Sequence, residues 1–159
     1  MKIYYHIHGV SMPLVLEASP EEKVIALLKK STPPGDHSFD SLHISLENSE
    51  DSISPEMTFI AAGIQDKDHL HASRCSHIDI AVNYGGKIEH IIVNPATTVE
   101  KTIERASHKF HIDPVAVSDL VLQTTDKVTL DDSITIGSIT IYPDCKLSLI
   151  LSAKVIIQG

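Results

Sequence analysis

The sequence predicts an α+β protein built from two tandem domains, each a mixed sheet covered by one main helix. Three observations lead to this prediction. The chain has 159 residues, which suits one ordinary domain or two very small ones. Each half contains short alternating strand patterns and one amphipathic helix pattern. The order of these patterns in the first half returns in the second half at an offset of 75 to 78 residues.

The first half begins with a predicted hairpin. In the opening segment MKIYYHIHG, the side chains of Ile3, Tyr5 and Ile7 alternate onto one face, as in a half-buried strand. The segment MPLVLEA follows after a turn and supplies the returning strand. A helix then begins where the Ser19 hydroxyl can cap the first turn and the Glu22 side chain can reach back.

The predicted first helix, EEKVIALLKK, directs Val24, Ile25 and Leu28 toward the sheet. It ends at STPPG, because tandem prolines cannot continue a helix. The segment SLHISL alternates as a third strand, and a last strand is predicted around Leu70.

The second half repeats these elements. Ile78, Ile80 and Val82 alternate as in the first strand, and NYGGK supplies the hairpin turn. Thr97 and Glu100 form a capping box like the one in the first half. The helix that follows has one apolar stripe, formed by Val99, Ile103, Ala106 and Phe110.

A hairpin, one helix and further strands, in this order, are typical of a β-grasp domain, in which the sheet and the helix bury each other. We therefore predict a first domain over residues 1–76, a second domain over 77–151 and a C-terminal tail over 152–159.

The chain is acidic, with a formal net charge of −8 at pH 7. Residues 1–76 carry six basic and eleven acidic side chains, and residues 77–159 carry seven and ten. Neither half has a basic stripe, so we expect no nucleic-acid partner and no anionic membrane partner. No apolar run approaches the roughly 18 residues of a membrane span. Met1 leads directly into a strand pattern and not into a signal peptide, so we expect a cytoplasmic protein.

The two cysteines, Cys75 and Cys145, stand 70 residues apart and form no CxxC pair. We therefore expect free, reduced thiols and no zinc site.

Histidines at alternate positions form two pairs, His6 with His8 and His69 with His71. Each pair lies on one face of a predicted strand, and paired imidazoles can hold zinc or copper. Both pairs point away from the predicted core, and no third ligand accompanies them. We therefore expect a solvated surface and no metal site.

Enzyme signatures are absent from the sequence. It contains no phosphate-binding glycine loop, no HExxH and no GxSxG motif. We expect no catalytic residue and no cofactor, and a protein that is a substrate of enzymes.

The second half resembles a known family at the level of residues. The segment DLVLQTTDKVTLDDSITI, followed by CKLSLIL, is similar to the ubiquitin passage in which a strand, a turn, a TLxD step and an xLxLxL strand lead to the C-terminal tail. Two such units in tandem resemble the interferon-induced two-domain ubiquitin-like modifier. They resemble even more its bacterial analogue, which is encoded in antiphage operons.

The resemblance implies a function and a set of partners. In this family the C-terminal glycine of the modifier is adenylated, passed through thioesters and joined to a target amine. The implied partners are an activating enzyme, a conjugating enzyme, a JAB-type metallopeptidase and a covalently modified target, such as a tail component of a virion. Val121 and Ile150 fall where ubiquitin places exposed apolar residues that partners recognise.

The tail ends in an apolar segment and a glycine: Val155, Ile156, Ile157, Gln158 and Gly159. Three β-branched residues favour an extended arm that enzymes can grip. Glycine at the reacting end lets the backbone approach an adenylate or thioester closely. The family usually ends in two glycines and ubiquitin has an arginine-rich tail, whereas this chain has one glycine and an apolar tail. Gly159 is therefore expected either as the natural end or as an end exposed by a peptidase.

Alternatives remain at each of these positions. The tail could extend the last strand, with an incidental glycine. A shift of one residue would direct Val121 and Ile150 inward, because side chains alternate across a strand. A non-covalent β-grasp interaction module and a sulfur carrier are the alternative functions.

Overall fold

The computed structural model describes residues 1–10, 12–33 and 39–154, and the first sheet lies within residues 2–73. The strands are β1 (Lys2–Ile7), β2 (Leu14–Glu17), β3 (His43–Leu46) and β4 (His69–Ser73), and the helix is α1 (Val24–Ser31). The sheet order is β2-β1-β4-β3. Strand β1 is antiparallel to β2 and parallel to β4, and β3 is antiparallel to β4.

The second sheet repeats this arrangement. Its strands are β5 (Ile78–Tyr84), β6 (Lys87–Val93), β7 (Leu120–Thr124) and β8 (Lys146–Ala153), and its helix is α2 (Val99–Lys109). The order is β6-β5-β8-β7, with β5 parallel to β8 and the other two pairings antiparallel. Short 3₁₀ helices lie at Phe39–Ser41, Pro114–Asp119 and Ile136–Ile139. The prediction of two tandem β-grasp domains is confirmed.

Each sheet shares an apolar core with its own helix. In the first domain, Ile3, Tyr5, Leu28, Phe59 and Leu70 are fully buried. In the second domain, the largest fully buried side chains are those of Ile78, Ile80, Leu122, Ile136 and Leu151. The two cores are separate clusters. Each half of the chain therefore buries its own hydrophobic surface.

Both helices begin later than the capping-box patterns predict. Helix α1 starts after Lys23, with no side-chain cap, and Glu22 only accepts a hydrogen bond of 3.4 Å from the Ser19 N–H. Its first two N–H groups, on Val24 and Ile25, instead donate to the carbonyls of residues 57 and 55 at 2.9 and 2.8 Å.

Helix α2 is capped one residue after the predicted position. Thr98 accepts from the Lys101 N–H, and Thr97 does not cap the helix. The Val99 and Glu100 N–H groups donate to the carbonyls of residues 134 and 132 at 2.8 and 3.0 Å. In both domains the loop after the third strand thus satisfies the helix N-terminus, and a pattern of local side chains could not predict this.

Cys75 and Cys145 form a disulfide, so the expectation of free thiols is wrong. Their Cα atoms lie 5.8 Å apart although 70 residues separate them in sequence. The reason is the parallel pairing of β5 with β8, in which Asp79 is opposite Lys146. Each cysteine lies just before one of these two strands, and the Asp79 N–H donates to the Cys145 carbonyl at 3.1 Å.

The helices of the described ranges are short. Helix α2 has 11 residues, and no helix of the described ranges is long and apolar enough to cross a bilayer.

Candidate conjugation arm and partner-binding face

The arm begins at Lys154, immediately after β8. Its backbone N–H donates to the Asp119 carbonyl and its Nζ donates to the Ser118 carbonyl, both at 2.7 Å. These two bonds hold Lys154 against the segment that precedes the edge strand β7. The predicted C-terminal tail, residues 152–159, overlaps β8, because Ser152 and Ala153 belong to that strand. Its last five residues lie outside the described residues: Val155, Ile156, Ile157, Gln158 and Gly159.

The outer face of the second sheet, opposite α2, carries the predicted partner-binding pair. Ile150 on β8 is paired with Gln123 on β7, and Val121 is paired with Ser152, so the two apolar side chains are diagonal neighbours. Both are partly exposed. Their sequence neighbours point into the core and are buried: Leu120, Leu122, Leu149 and Leu151. The alternative registration, with Val121 and Ile150 directed inward, is therefore wrong.

Two further isoleucines lie on the same outer face. Ile88 and Ile92 on the edge strand β6 are 56% and 63% exposed. Asn83 on β5 is opposite both Ile88 and Ile150, so it lies between them across the sheet. The sequence did not single out these residues, because Ile91, Ile92 and Val93 are consecutive and break the alternation that would mark Ile88 and Ile92 as outward-facing.

The corresponding face of the first sheet is partly covered by the second domain. Ser45, His71 and Ser73 all point to this face and are 3%, 4% and 5% exposed. The Asn94 side chain donates to the Ser45 hydroxyl at 3.1 Å. The two sheets are therefore not equivalent as docking surfaces.

Asn48 is the central polar contact between the domains. It has a positive φ of 60°, a conformation that asparagine tolerates better than most residues. Its N–H donates to the Ala96 carbonyl at 2.9 Å. Its side-chain oxygen accepts from the Thr98 N–H at 2.8 Å and from the Thr98 hydroxyl at 3.1 Å. Glu50 adds an ion pair with Arg105 on α2.

The four histidines form a continuous cluster on the covered face. His6 and His69 share a hydrogen bond of 2.7 Å between Nε2 and Nδ1. The rings of His6 and His71 stack at 4.4 Å, and His71 Nε2 lies 3.1 Å from a Glu47 carboxylate oxygen. The Nδ1 atoms of His8 and His71 are buried and have no hydrogen-bond partner. The expectation of a solvated surface is thus wrong for His71, which is 4% exposed because the rings of His6 and His8 and the Glu47 carboxylate pack around it.

Burial keeps part of this cluster neutral. Desolvation, reinforced by the imidazoles of His71 and His69, lowers the pKa of His6 to about 4. Desolvation, reinforced by His71 and His6, lowers the pKa of His8 to about 3. The hydrogen bond with His71 lowers the pKa of Glu47. Within the described ranges, no three His, Cys, Asp or Glu side chains converge on a position that could hold a metal ion.

Comparisons with known proteins agree with this architecture. Residues 79–154 match the family model described as BilA ubiquitin-like domain 2. No curated protein matches the sequence.

Solved structures with a similar fold each cover about half of the chain. A ubiquitin from Caldiarchaeum subterraneum is 17% identical, covers 50% of this chain and 96% of its own, and has a TM-score of 0.41. An Arabidopsis thaliana structure is 14% identical, covers 54% and 95%, and has a TM-score of 0.40. The chain has two tandem domains of the ubiquitin-like β-grasp fold, and its residues 79–154 are similar to the second ubiquitin-like domain of BilA.

Proposed function

We propose that this protein is a ubiquitin-like modifier that is covalently attached, through the carboxylate of Gly159, to amines of target proteins. Its setting is bacterial antiphage defence, and its site of action is the cytoplasm. The observation that carries the proposal is the match to BilA ubiquitin-like domain 2, which spans the second sheet and ends at Lys154, where the arm begins.

The proposed chemistry proceeds in four balanced steps. The Gly159 carboxylate attacks the α-phosphorus of ATP and forms an acyl adenylate with release of pyrophosphate. A cysteine thiolate of the activating enzyme displaces AMP, and a thiol of the conjugating enzyme takes over the acyl group by thioester exchange. A target amine then displaces that thiolate and forms an isopeptide bond. A JAB-type metallopeptidase would hydrolyse the same bond.

The geometry of the second domain supports this role. The anchored Lys154 separates a rigid sheet from the last five residues of the chain, so an enzyme can bind the domain and the arm at the same time. A terminal glycine has no Cβ to obstruct the approach of an adenylate or a thiol. The chain supplies recognition, positioning and the reacting Gly159 carboxylate, and the enzymes supply the cysteine thiols.

The outer face of the second sheet is the proposed docking surface for these enzymes. Ile150 lies on β8, the strand that ends beside Lys154, and Val121 lies on the neighbouring strand β7. Ile88 and Ile92 are exposed on the same face. The first domain cannot offer the equivalent surface, because its own outer face is partly covered. We propose that the first domain contributes to specificity for the target, which we expect to be a phage structural protein.

The test uses the purified activating and conjugating enzymes with ATP. The full chain is expected to form a thioester with each enzyme, seen as a band of higher mass on a non-reducing gel. This band should disappear when a thiol reductant is added. Deletion of Gly159 is expected to abolish it, and Gly159→Ala, which keeps the carboxylate but adds a Cβ, is expected to slow it. A thioester of unchanged yield from the deleted chain would contradict the proposal.

A non-covalent interaction module is the second candidate, because the edge strand β6 presents two exposed isoleucines. An extended peptide could add to this edge by backbone hydrogen bonds. Binding of this kind would not depend on Gly159. Retention of a partner by the chain lacking Gly159, together with no thioester from the full chain, would favour this candidate.

A further inference from the structure

The disulfide lies within the segment that connects the two domains. The first domain ends its last strand at Ser73, and the second domain begins its first strand at Ile78. Cys75 lies between them, yet it is 4% exposed and packs in the core of the second domain. The bond to Cys145 therefore fastens the connecting segment to the second domain.

The cross-link shortens the free connection. With the disulfide formed, only Arg74 separates the last residue of β4 from a residue that is covalently fixed to the second domain. Without it, residues 74–77 are all available as a connection. A longer connection allows the two domains to adopt more relative orientations.

The remaining contacts between the domains are mostly polar. They include the Asn48 hydrogen bonds, the Asn94–Ser45 hydrogen bond and the ion pair of Glu50 with Arg105. The guanidinium of Arg74 also lies 3.9 Å from the ring centre of Tyr142. Each such hydrogen bond adds little net stability, because its donor and acceptor can bond to water when the domains separate. The two apolar cores do not merge, and polar interfaces between domains usually permit relative motion.

We propose that the Cys75–Cys145 disulfide is a redox-sensitive cross-link that limits the relative motion of the two ubiquitin-like domains. The oxidised protein presents both domains as one body. The reduced protein keeps both folds and gains relative motion of the domains. This goes beyond the proposed function and does not depend on conjugation.

Reduction requires a dithiol donor, such as a thioredoxin-class protein or dithiothreitol. A donor thiolate attacks Sγ of Cys145, the more exposed residue of the pair, and Cys75 leaves as a thiolate that takes up a proton. The second donor thiol then displaces Cys145, which also ends as a thiol. Two electrons and two protons pass to the pair, and the donor leaves as a disulfide.

The test measures the relative orientation of the domains by residual dipolar couplings of the full chain, with and without dithiothreitol. Alkylation followed by intact-mass analysis counts free thiols in each sample. We expect no alkylation and one common alignment tensor for both domains before reduction. After reduction we expect two alkylated cysteines and the loss of the common tensor, while the couplings within each domain still fit that domain.

A double variant, Cys75→Ala with Cys145→Ala, provides the matched control. It should lack a common tensor in either condition and should not respond to dithiothreitol. The proposal is overturned if the purified protein already has two free thiols, or if oxidised and reduced protein share one common tensor. It is equally overturned if reduction leaves the couplings of the second domain inconsistent with its own fold, since the bond would then hold that domain together.

Discussion

Gly137→Ala tests the packing between the two domains at its tightest point. Gly137 lies in the 3₁₀ helix Ile136–Ile139 of the second domain, directly after the buried Ile136. A Cβ at this position would collide with the imidazole ring of His8 from the first domain and would lie 2.7 Å from the Cβ of Pro95. The Gly137 N–H also donates to the Pro95 carbonyl at 2.9 Å, so the backbone cannot shift away without losing a hydrogen bond.

We expect this overpacking to cost about 1–3 kcal/mol of unfolding free energy. A loss of about 2 kcal/mol would lower the Tm of the second domain by roughly 8–16 °C. Differential scanning calorimetry of the wild type and the variant measures this shift directly.

A double-mutant cycle separates the two collisions. His8→Ala removes the ring from the first domain and leaves Pro95 in place. We therefore expect the double variant, His8→Ala with Gly137→Ala, to lose less stability than the sum of the two single losses. A wild-type Tm for Gly137→Ala, or strictly additive losses in the cycle, would refute the close packing of His8 on Gly137.

Three further predictions follow from the same structure. The pKa values of His6 and His8 are lowered in the folded chain, so the unfolded chain binds more protons below pH 6.5. The free energy of unfolding should therefore fall as the pH drops from 6.5 to about 4, by at most about 1.4 kcal/mol per pH unit for His8. Urea titrations that show no change in this free energy between pH 6.5 and about 4 would contradict the prediction. Asn48→Ala removes the side-chain oxygen that accepts from Thr98, and thermal unfolding should show a loss of about 1 kcal/mol in unfolding free energy. Asn48→Asp keeps an acceptor and should lose less. Equal losses for the two variants would exclude the side-chain hydrogen bonds as the cause. Ile150→Asp should weaken binding to the activating enzyme in calorimetric titrations, whereas Val15→Asp on the first domain should not, and equal affinities for both variants would exclude the proposed face.

The sequence predicts the strands and the fold well, because each domain obeys simple alternation. Ile3, Tyr5 and Ile7 on β1, and Ile78, Ile80 and Val82 on β5, are all buried as their spacing indicates. The internal repeat predicts the equivalence of the two sheets, which have the same strand order.

Contacts between distant segments are what the sequence does not show. The disulfide depends on the parallel pairing of β5 with β8, which brings Cys75 and Cys145 together. The burial of His71 depends on neighbours from other segments of the first domain, namely His6 and His8 on β1 and Glu47 after β3. Alternation correctly places His71 on the outer face, but it contains no information about what lies against that face.

The candidate site was predictable to a similar extent. The position of Val121 and Ile150 on the outer face follows from the alternation of β7 and β8 with their buried leucines. The contribution of Ile88 and Ile92 required the register of β6 on β5, because the apolar residues of β6 do not alternate regularly with polar ones.

The most direct test of the central claim is mass spectrometry of the conjugates formed when the full chain is expressed with its activating and conjugating enzymes and a target. Fragment spectra should show a target lysine joined by an isopeptide bond to the carbonyl of Gly159, and the same lysine should be unmodified with the chain lacking Gly159. Active enzymes that leave every target lysine unmodified, or a linkage that involves another residue of this chain, would contradict the account.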